Sequence, residues 1–198
     1  MKIERGFTAA ERVQVGALYW EAFGAKLAPA FGNEAIGRAE VTAALAADHF
    51  LVAREGSEVL GVCGFRTASG GAADWSWRTM RSRLGWRAAM RATAVLAPLH
   101  RGDVPGVLVL DGLCVAAGRR GGGTGSALLA AAAALAARRG QRAVQLSVVD
   151  TNPRAEALYR RRGFVVVGQG DLGPLAGIYG FRRYRTLQRP AGPLEERS

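Results

Sequence analysis

A glycine-rich run from Arg120 to Gly125 is the part of this sequence best suited to hold a ligand. Four of its six residues are glycines, which let a backbone approach a ligand closely and adopt positive φ angles. The alanine- and leucine-rich stretch that follows predicts a helix, so the N–H groups at its start lack intrahelical partners and lie at the positive end of the helix dipole. The pattern therefore predicts an anion site of the kind that binds pyrophosphate.

The glycine-rich run fits a flexible linker or a nucleotide-binding loop less well. A flexible linker need not lie between a buried strand and a strong helix, as this run does. A P-loop needs Lys followed by Ser or Thr after its last glycine, and the run contains no Lys. The dinucleotide fingerprint needs a third glycine where this chain has Ser126 or Leu128.

Two motifs resemble the GNAT superfamily of N-acetyltransferases. Val115, the glycine-rich run and Leu128 are similar to the family's acetyl-CoA motif, R/Q-x-x-G-x-G/A on a strand-to-helix turn. The segment from Asn152 to Phe164 is similar to a second family motif, N-x-x-A-x-x-L-Y-x-x-x-G-F, at every marked position. The two motifs lie in the family's order, and the resemblance covers about residues 110 to 168 directly.

The resemblance implies an α/β fold of mixed α+β type, a twisted mixed sheet of about six to seven strands flanked by helices. Its central parallel strands, which in this chain end near Val115 and Val149, are expected to splay apart and hold acetyl-CoA between them. A helical insertion is expected before the central strand.

The resemblance also implies roles for individual residues. The backbone of residues 113–115 is expected to pair with the pantetheine amides like an added strand, and the amides of residues 120–126 to hold the pyrophosphate. Asn152 is expected to hydrogen-bond near the pantetheine arm, and Tyr159 to protonate the leaving thiolate. The residues predicted to bind acetyl-CoA are Leu113, Cys114, Val115, Arg120, Gly121, Gly122, Gly123, Thr124, Gly125, Ser126, Asn152 and Tyr159.

The general base is the least defined part of the predicted site. In some relatives a Glu lies five residues before the motif Asn, and here that position is Ser147, which cannot serve alone. Asp111, on the strand before the glycine-rich run, is the predicted base, and a hydrogen-bonded strand residue is the alternative. Asp150, Asp171 or a chain of water molecules are further candidates. For Tyr159, the alternative is a core aromatic residue on a helix.

The predicted function is transfer of an acetyl group from acetyl-CoA to a primary amine, which must be neutral to attack the thioester. The sequence does not identify the acceptor, which is either a small molecule or a protein. A non-catalytic acyl-CoA-binding or regulatory module is the alternative, because the base is uncertain. Nucleic-acid binding is disfavoured, since there is no aromatic-basic RNA motif or helix-turn-helix pattern. The oligomeric state, including a homodimer, stays open.

The elements that position these residues alternate between strands and helices. A capping-box pair, Thr8 and Glu11, precedes the first helix, whose apolar face is predicted to include Val13. One domain is predicted over residues 1–187, followed by a flexible tail over 188–198. The predicted helices span about residues 9–23, 33–46, 126–139 and 152–162, and the predicted strands span 2–7, 50–54, 59–66, 107–115, 143–149, 164–168 and 178–186.

The stretch from about residue 70 to residue 106 differs in character from the rest. It contains three Trp and six Arg residues, and no acidic residue lies between Asp74 and Asp103. We interpret it as a helical insertion that forms a wall or lid on the acceptor side. Trp77, Met80 and Leu84 follow a helical spacing, which is more typical of packing than of recognition. If the segment lines the site, its arginines disfavour polycationic acceptors.

Composition and charge limit the remaining classes of protein. The 198 residues are 49% hydrophobic and 22% charged, which excludes a disordered chain. No apolar run approaches the roughly 20 residues that cross a bilayer, and the N-terminus lacks a signal-peptide pattern, so a cytoplasmic protein without a membrane span is expected.

Cysteine use and net charge add two expectations. Cys63 and Cys114 lie in apolar runs without metal-ligand spacing, so we expect two reduced core residues and no metal. The net charge is +11, and of the 27 Lys and Arg residues only Lys2 and Lys26 are lysines, which leaves 25 arginines. Such a balance indicates an anionic partner, and nucleic acid, an acidic protein and a phosphorylated cofactor all fit. Abundant Ala, Arg and Gly with scarce Lys is also typical of a coding bias, so not every arginine is expected to be a contact.

Overall fold

A mixed, open sheet forms the framework of the molecule. The computed structural model describes residues 1–97 and 102–192. Within them the strands are β1 (Lys2–Arg5), β2 (Phe50–Glu55), β3 (Glu58–Arg66), β4 (Val107–Val115), β5 (Ala143–Val149), β6 (Val165–Asp171) and β7 (Arg183–Pro190). Their order in the sheet is β1-β2-β3-β4-β5-β7-β6, with β4 and β5 parallel and the other neighbours antiparallel.

Helices flank both faces of this sheet, so the predicted fold class is confirmed. The helices are α1 (Arg12–Phe31), α2 (Glu34–Ala44), α3 (Trp77–Leu84), α4 (Trp86–Leu96), α5 (Thr124–Arg138), α6 (Pro153–Arg161) and α7 (Ala176–Tyr179). Among the helices of the described residues, none is both long and apolar enough to cross a bilayer.

The parallel strands β4 and β5 separate partway along their length. Their register runs from the pair Val107 and Ala143 to the pair Val109 and Gln145 and goes no further. Beyond this point β4 stays paired with β3 as far as Val115, while β5 stays paired with β7. The facing edges of the two strands therefore diverge and open a gap in the middle of the sheet.

Alternating side chains of the sheet contribute to two apolar clusters, one on each face. On β2, Phe50 and Val52 pack into a cluster with α1, α2 and α4, whereas Leu51 and Ala53 pack into a cluster with α5. A sheet covered on both faces needs apolar residues of both parities, which is why these strands are nearly continuous apolar runs. Both cysteines are buried free thiols within these clusters.

The start of α1 follows the predicted capping-box pair. Thr8 N donates to Glu11 Oε2 at 2.7 Å, Glu11 N donates to Thr8 Oγ1 at 3.3 Å, and the helix begins at the next residue, Arg12. The predicted position of Val13 on the apolar face of α1 was wrong: Val13 is 73% exposed, whereas Val15 is fully buried.

The end of α1 lies at Phe31, so the predicted end near residue 23 was wrong. Leu27 and Phe31 are buried in the same cluster as the first turns, and burial of two large apolar side chains outweighs the local cost of Pro29 close to the helix end. Gly32, in the left-handed region at φ 70°, ends the helix. The additional turns place Lys26 and Leu27 above the sheet.

The basic segment before β4 is helical, as predicted, and it contains the two helices α3 and α4. Met80 of α3 and Ala89 of α4 are buried, and they join the cluster that includes α1. Trp77 is 42% exposed, so the predicted packing stripe is only partly buried. Residues 98–101 of this segment lie outside the described residues.

The last strand differs from the predicted one. Residues 176–179 form α7, and the strand runs over Arg183–Pro190 instead of 178–186. The prediction of a flexible tail from residue 188 was therefore wrong at its start, because Gln188 pairs with Gln145 and Pro190 with Ala143. Arg189 is buried there and its guanidinium donates to the carbonyls of Gly192 and Arg162. Residues 193–198 of the predicted tail lie outside the described residues.

Candidate functional site

The gap between β4 and β5 opens into a cavity of about 1360 Å3. Its walls are the diverging halves of β4 and β5, the glycine-rich run, and parts of α1, α4 and α6. A concave site of this kind, where parallel strands separate beside a helix N-terminus, is the place in an α/β fold where a ligand is expected.

The glycine-rich run lines one end of this cavity with backbone groups. Gly121 and Gly123 have φ angles of 83° and 86°, in the left-handed region that favours glycine, and open space surrounds the position of a Cβ at each. The first intrahelical bond of α5 runs from Ala127 N to Gly123 O at 3.0 Å, and no side chain caps the helix. The amides that precede this bond are left to bind an anion at the positive end of the helix.

Gly125 has a different role in the same run. A Cβ at this position would lie 3.2 Å from Leu158 Cδ2 and close to the side chains of Leu113 and Val115. The absence of a side chain lets α6 and the end of β4 approach the first turn of α5. Leu158 of the second motif therefore lies beside Gly125 of the first.

The end of β4 presents alternate peptide groups to the gap. Ala116 N donates to Leu60 O at 2.9 Å, and the antiparallel alternation then turns the peptide groups of Cys114 towards β3. The peptide groups of Leu113 and Val115 consequently face the gap, where β5 no longer pairs with β4. Arg120 Nε donates to Val115 O at 3.1 Å, which confirms that this carbonyl points away from β3.

Arginine side chains surround the end of the cavity at the glycine-rich run. Arg162 Nε donates to Ser126 Oγ at 3.0 Å, and Arg120 pairs with Glu21 at 2.6 Å. Arg154, Arg161 and Arg162 form no ion pair within the described part of the chain, so their charges are uncompensated there. The arginines that line the cavity are Arg66, Arg119, Arg120, Arg154, Arg161 and Arg162.

Asn152 and Tyr159 both line the cavity, as their motif predicts. Asn152 caps α6: its Oδ1 accepts a hydrogen bond from Ala155 N at 3.1 Å, which uses one of the two polar ends of its side chain. Tyr159 is buried, with its ring centroid 6.0 Å from that of Phe164. The ring thus packs in the core while the residue also borders the cavity, and the role of Tyr159 as proton donor stays a prediction.

Asp111 borders the cavity, and both of its carboxylate oxygens are hydrogen-bonded. Arg66 Nε lies 3.3 Å from Oδ1, and Ala72 N donates to Oδ2 at 2.9 Å. The alternative of a hydrogen-bonded strand residue is thus an accurate description of its contacts, and its role as a base stays a prediction. Asp150 and Asp171 are not among the described residues that line the cavity, whereas Ser147 is.

The cysteine thiols are not suited to act as nucleophiles. Burial raises the pKa of Cys63 to about 12, and burial also raises the pKa of Cys114. A thiol reacts as the thiolate, so neither residue can form an acyl-enzyme at neutral pH. Within the described residues, no group of three or more potential metal-ligating side chains is present.

Sequence reasoning missed the wall contributed by α1 and by the segment before β7. Glu21, Phe23, Lys26 and Phe181 all line the cavity. The spacing of Tyr19, Phe23 and Leu27 by four residues is a signal for one helix face, but the helix was predicted to end at Phe23. For Phe181 we find no signal in the sequence.

The comparisons with known proteins agree with this arrangement. The sequence matches the model of the acetyltransferase (GNAT) family over residues 13–164. This match includes the glycine-rich run, the diverging strands and Tyr159. The class defined by fold and site is that of acyl-transferring enzymes with a split sheet, and the chain belongs to the GNAT acetyltransferase family. Members of this family typically use acetyl-CoA as a substrate.

Solved structures share the whole architecture at low sequence identity. An N-acetyltransferase from Staphylococcus aureus Mu50 aligns with a TM-score of 0.67 at 16% identity, covering 96% of this chain and 100% of that one. A GCN5-related N-acetyltransferase from Kribbella flavida aligns at 0.59 and 20% identity, covering 96% of each chain. The ribosomal-protein-S18-alanine N-acetyltransferase from Escherichia coli aligns at 0.58 and 14% identity, covering 98% and 96%. The sequence matches none of the curated proteins.

Proposed function

We propose that this protein transfers the acetyl group of acetyl-CoA to a primary amine by direct attack on the thioester. The observation that carries the proposal is the separation of β4 from β5 after the pair Val109 and Gln145, directly beside the uncapped start of α5. A thioester on a long, amide-containing arm and a diphosphate are the two features of a ligand that such a cleft can hold.

The polar groups of the cleft suit acetyl-CoA along its length. The amides that begin α5, together with Arg154, Arg161 and Arg162, provide donors for the phosphates. The peptide groups of Leu113 and Val115 face the gap and can pair with the pantetheine amides as a strand would. Val115 O already accepts a hydrogen bond from Arg120 Nε, and its second lone pair is available to the arm.

The reaction forms a C–N bond and breaks a C–S bond. The neutral amine attacks the thioester carbonyl carbon, the amine loses one proton, and the leaving thiolate gains one. A backbone N–H facing the gap, that of Val115, is placed to stabilise the developing oxyanion. Tyr159 is proposed to protonate the thiolate, and Asp111 or water to accept the proton from the amine. Because burial raises the pKa of both cysteine thiols, neither offers a thiolate for a cysteine acyl-enzyme, which supports the proposed direct transfer to the amine.

The binding part of the proposal is tested by a matched pair of variants at Gly123. Asn and Asp have nearly equal size, and both tolerate the left-handed backbone at this position better than most residues. Only Asp places a negative charge at the start of α5. We expect Gly123→Asp to weaken acetyl-CoA binding at least tenfold more than Gly123→Asn, measured by isothermal titration calorimetry.

Gly177→Asp provides the control for the added charge. Gly177 lies in α7, with open space around its Cβ position and no positive φ, and it does not line the cavity. The acetyl-CoA affinity of the Gly177→Asp variant should equal that of the unmodified protein. Equal affinities of the two Gly123 variants, with both folded by circular dichroism, would show that the start of α5 is not the phosphate site.

A non-catalytic acyl-CoA-binding module is the second candidate function. It is favoured by the contacts of Asp111, whose carboxylate oxygens are engaged by Arg66 and Ala72 N. A thiol-release assay with acetyl-CoA and a broad panel of amines separates the two functions. Tight acetyl-CoA binding without turnover of any amine would favour the module.

A further inference from the structure

The end of the cavity remote from the glycine-rich run has an aromatic and apolar lining. Its walls come from α1, the segment around α3 and α4, and the segment before β7, and it continues into the apolar cluster of that face. The residues of this wall are Tyr19, Phe23, Leu27, Trp75, Met80 and Phe181. Such a lining favours a ligand with a large apolar or aromatic body, because each buried apolar surface contributes favourably to binding.

Phe23 places this wall directly on β4. A Cβ at Gly112 would lie 2.5 Å from Phe23 Cζ, so the missing side chain of Gly112 is what allows the ring to lie against the strand. The ring of Tyr19 extends the same surface, with its centroid 4.7 Å from that of Phe23. The apolar body of a ligand in this wall would therefore be held beside the gap in the sheet.

The charged side chains that line the cavity beside this wall, counted with their ion-pair partners, carry more positive than negative charge. Asp111 pairs with Arg66 at 3.3 Å, Glu21 of α1 pairs with Arg120 at 2.6 Å, and Lys26 also lines the cavity. The Nζ atom of Lys26 lies 5.8 Å from the ring centroid of Phe23 and 5.1 Å from that of Phe181, within the aromatic wall. The local field therefore favours an anionic group on the ligand and disfavours a second cation.

We infer that the acetyl acceptor is an α-amino acid with an aromatic or large apolar side chain, and that Lys26 binds its carboxylate. A single aromatic ring, that of Phe23, separates Lys26 from the backbone of β4. The carboxylate and the reacting amine must therefore lie close together in the ligand, which is the arrangement in an α-amino acid. The inference rests on the proposed function, because it identifies the acceptor for that same reaction.

The test compares amino acids with the amines that lack only the carboxylate. Thiol release from acetyl-CoA is measured for two pairs of substrates, L-phenylalanine with phenethylamine and L-tryptophan with tryptamine. Spermidine is measured as an example of a polycation. We expect kcat/KM for each amino acid to exceed that of its decarboxylated partner about tenfold, and spermidine to be the poorest substrate.

Substitution of Lys26 shows whether this preference comes from the proposed contact. In Lys26→Met the ratio of kcat/KM for amino acid to amine should fall about tenfold, and Lys26→Arg should restore most of it. Differences in amine basicity cancel, because the same pair of substrates is compared in each variant. Lys2→Met is the matched control: Lys2 is exposed on β1 and pairs with Glu4 at 2.7 Å, and its loss should leave the ratio unchanged.

Three outcomes would overturn the inference. The first is a preference for the decarboxylated amines or spermidine. The second is a ratio of kcat/KM that Lys26→Met does not change. The third is calorimetric binding of acetyl-CoA without acetylation of any amino acid in the panel. Absence of acetyl-CoA binding is a separate result, because it would remove the proposed function itself.

Discussion

Tyr159 joins two features in one residue: its ring packs in the core and it borders the cavity. In Tyr159→Phe the ring and its packing against Phe164 are kept, and only the hydroxyl is lost. We expect kcat to fall about 100-fold, the typical contribution of a positioned proton donor, with an unchanged Kd for acetyl-CoA. Thiol release gives kcat and calorimetry gives Kd. Turnover equal to that of the unmodified enzyme would remove Tyr159 as the proton donor.

Asp111 has a structural role that any catalytic test must separate. Asp111→Asn weakens the contact with Arg66, and because both side chains are mostly buried we expect a loss of stability on the order of 1 kcal/mol. If Asp111 is also the base, the variant loses the acidic limb of the pH profile of kcat/KM, because a base works only when deprotonated. Arg66→Gln disturbs the same pair and should keep that limb. An unchanged profile in Asp111→Asn would leave water as the base.

At the level of elements, an ion pair between Glu11, at the start of α1, and Arg54 of β2 connects this helix to the sheet. The Arg54 side chain of β2 donates to Glu11, and this hydrogen bond lowers the pKa of Glu11 from its ordinary 4.5 to about 2. A carboxylate with a lowered pKa stabilises the fold above the unfolded pKa near 4.5, and this contribution is lost as the pH falls towards 2. Both side chains are mostly buried, so a contribution of about 1–3 kcal/mol is expected.

The measurement is the free energy of unfolding by urea, followed from pH 6 to pH 3. The unmodified protein should lose stability over this interval faster than Glu11→Gln, which has no charge to lose. Contributions of the other carboxylates are common to both proteins and cancel in the difference. Parallel curves for the two proteins would show that this ion pair does not stabilise the fold.

The elements near the two motifs were predictable, because local signals and tertiary packing agree there. β4 and β5 were predicted with their observed bounds, since each is a largely apolar run; β4 begins after Gly106, and β5 lies between Arg142 and Asp150. The end of α1 was not predictable, because Leu27 and Phe31 extend the helix through burial in a cluster that includes residues distant in sequence. The shift of β7 has the same cause, since its register is set by β5 and β6.

The same distinction between local sequence signals and tertiary packing applies to the candidate site. The proposed phosphate end, at the glycine-rich run, depends on glycine conformation and a helix start, which are properties of consecutive residues. The proposed acceptor end is assembled from α1, α4 and the segment before β7, so Lys26 and Phe181 meet there only in the folded chain. Because neither residue belongs to a sequence motif, only the folded structure shows that the two lie in one site.

At the level of the whole molecule, part of the excess positive charge lies on side chains that line the cavity. The net charge is +11, and Arg154, Arg161 and Arg162 at the phosphate end are not paired with carboxylates in the described part of the chain. A ligand with several phosphate charges should therefore bind more weakly as salt is added, because counterions screen exposed charges beyond about 10 Å at 0.1 M.

We expect the Kd for acetyl-CoA to rise about tenfold between roughly 50 mM and 500 mM NaCl, as screening removes long-range attraction. S-acetylpantetheine, which has the same thioester arm and no phosphate, should show almost no dependence on salt. Arg161→Gln should reduce the slope for acetyl-CoA, because it removes one unpaired cation and leaves the contact of Arg162 with Ser126 intact. Equal slopes for the two ligands would mean that the arginines at the cavity do not attract the phosphates and that the charge of this protein serves another partner.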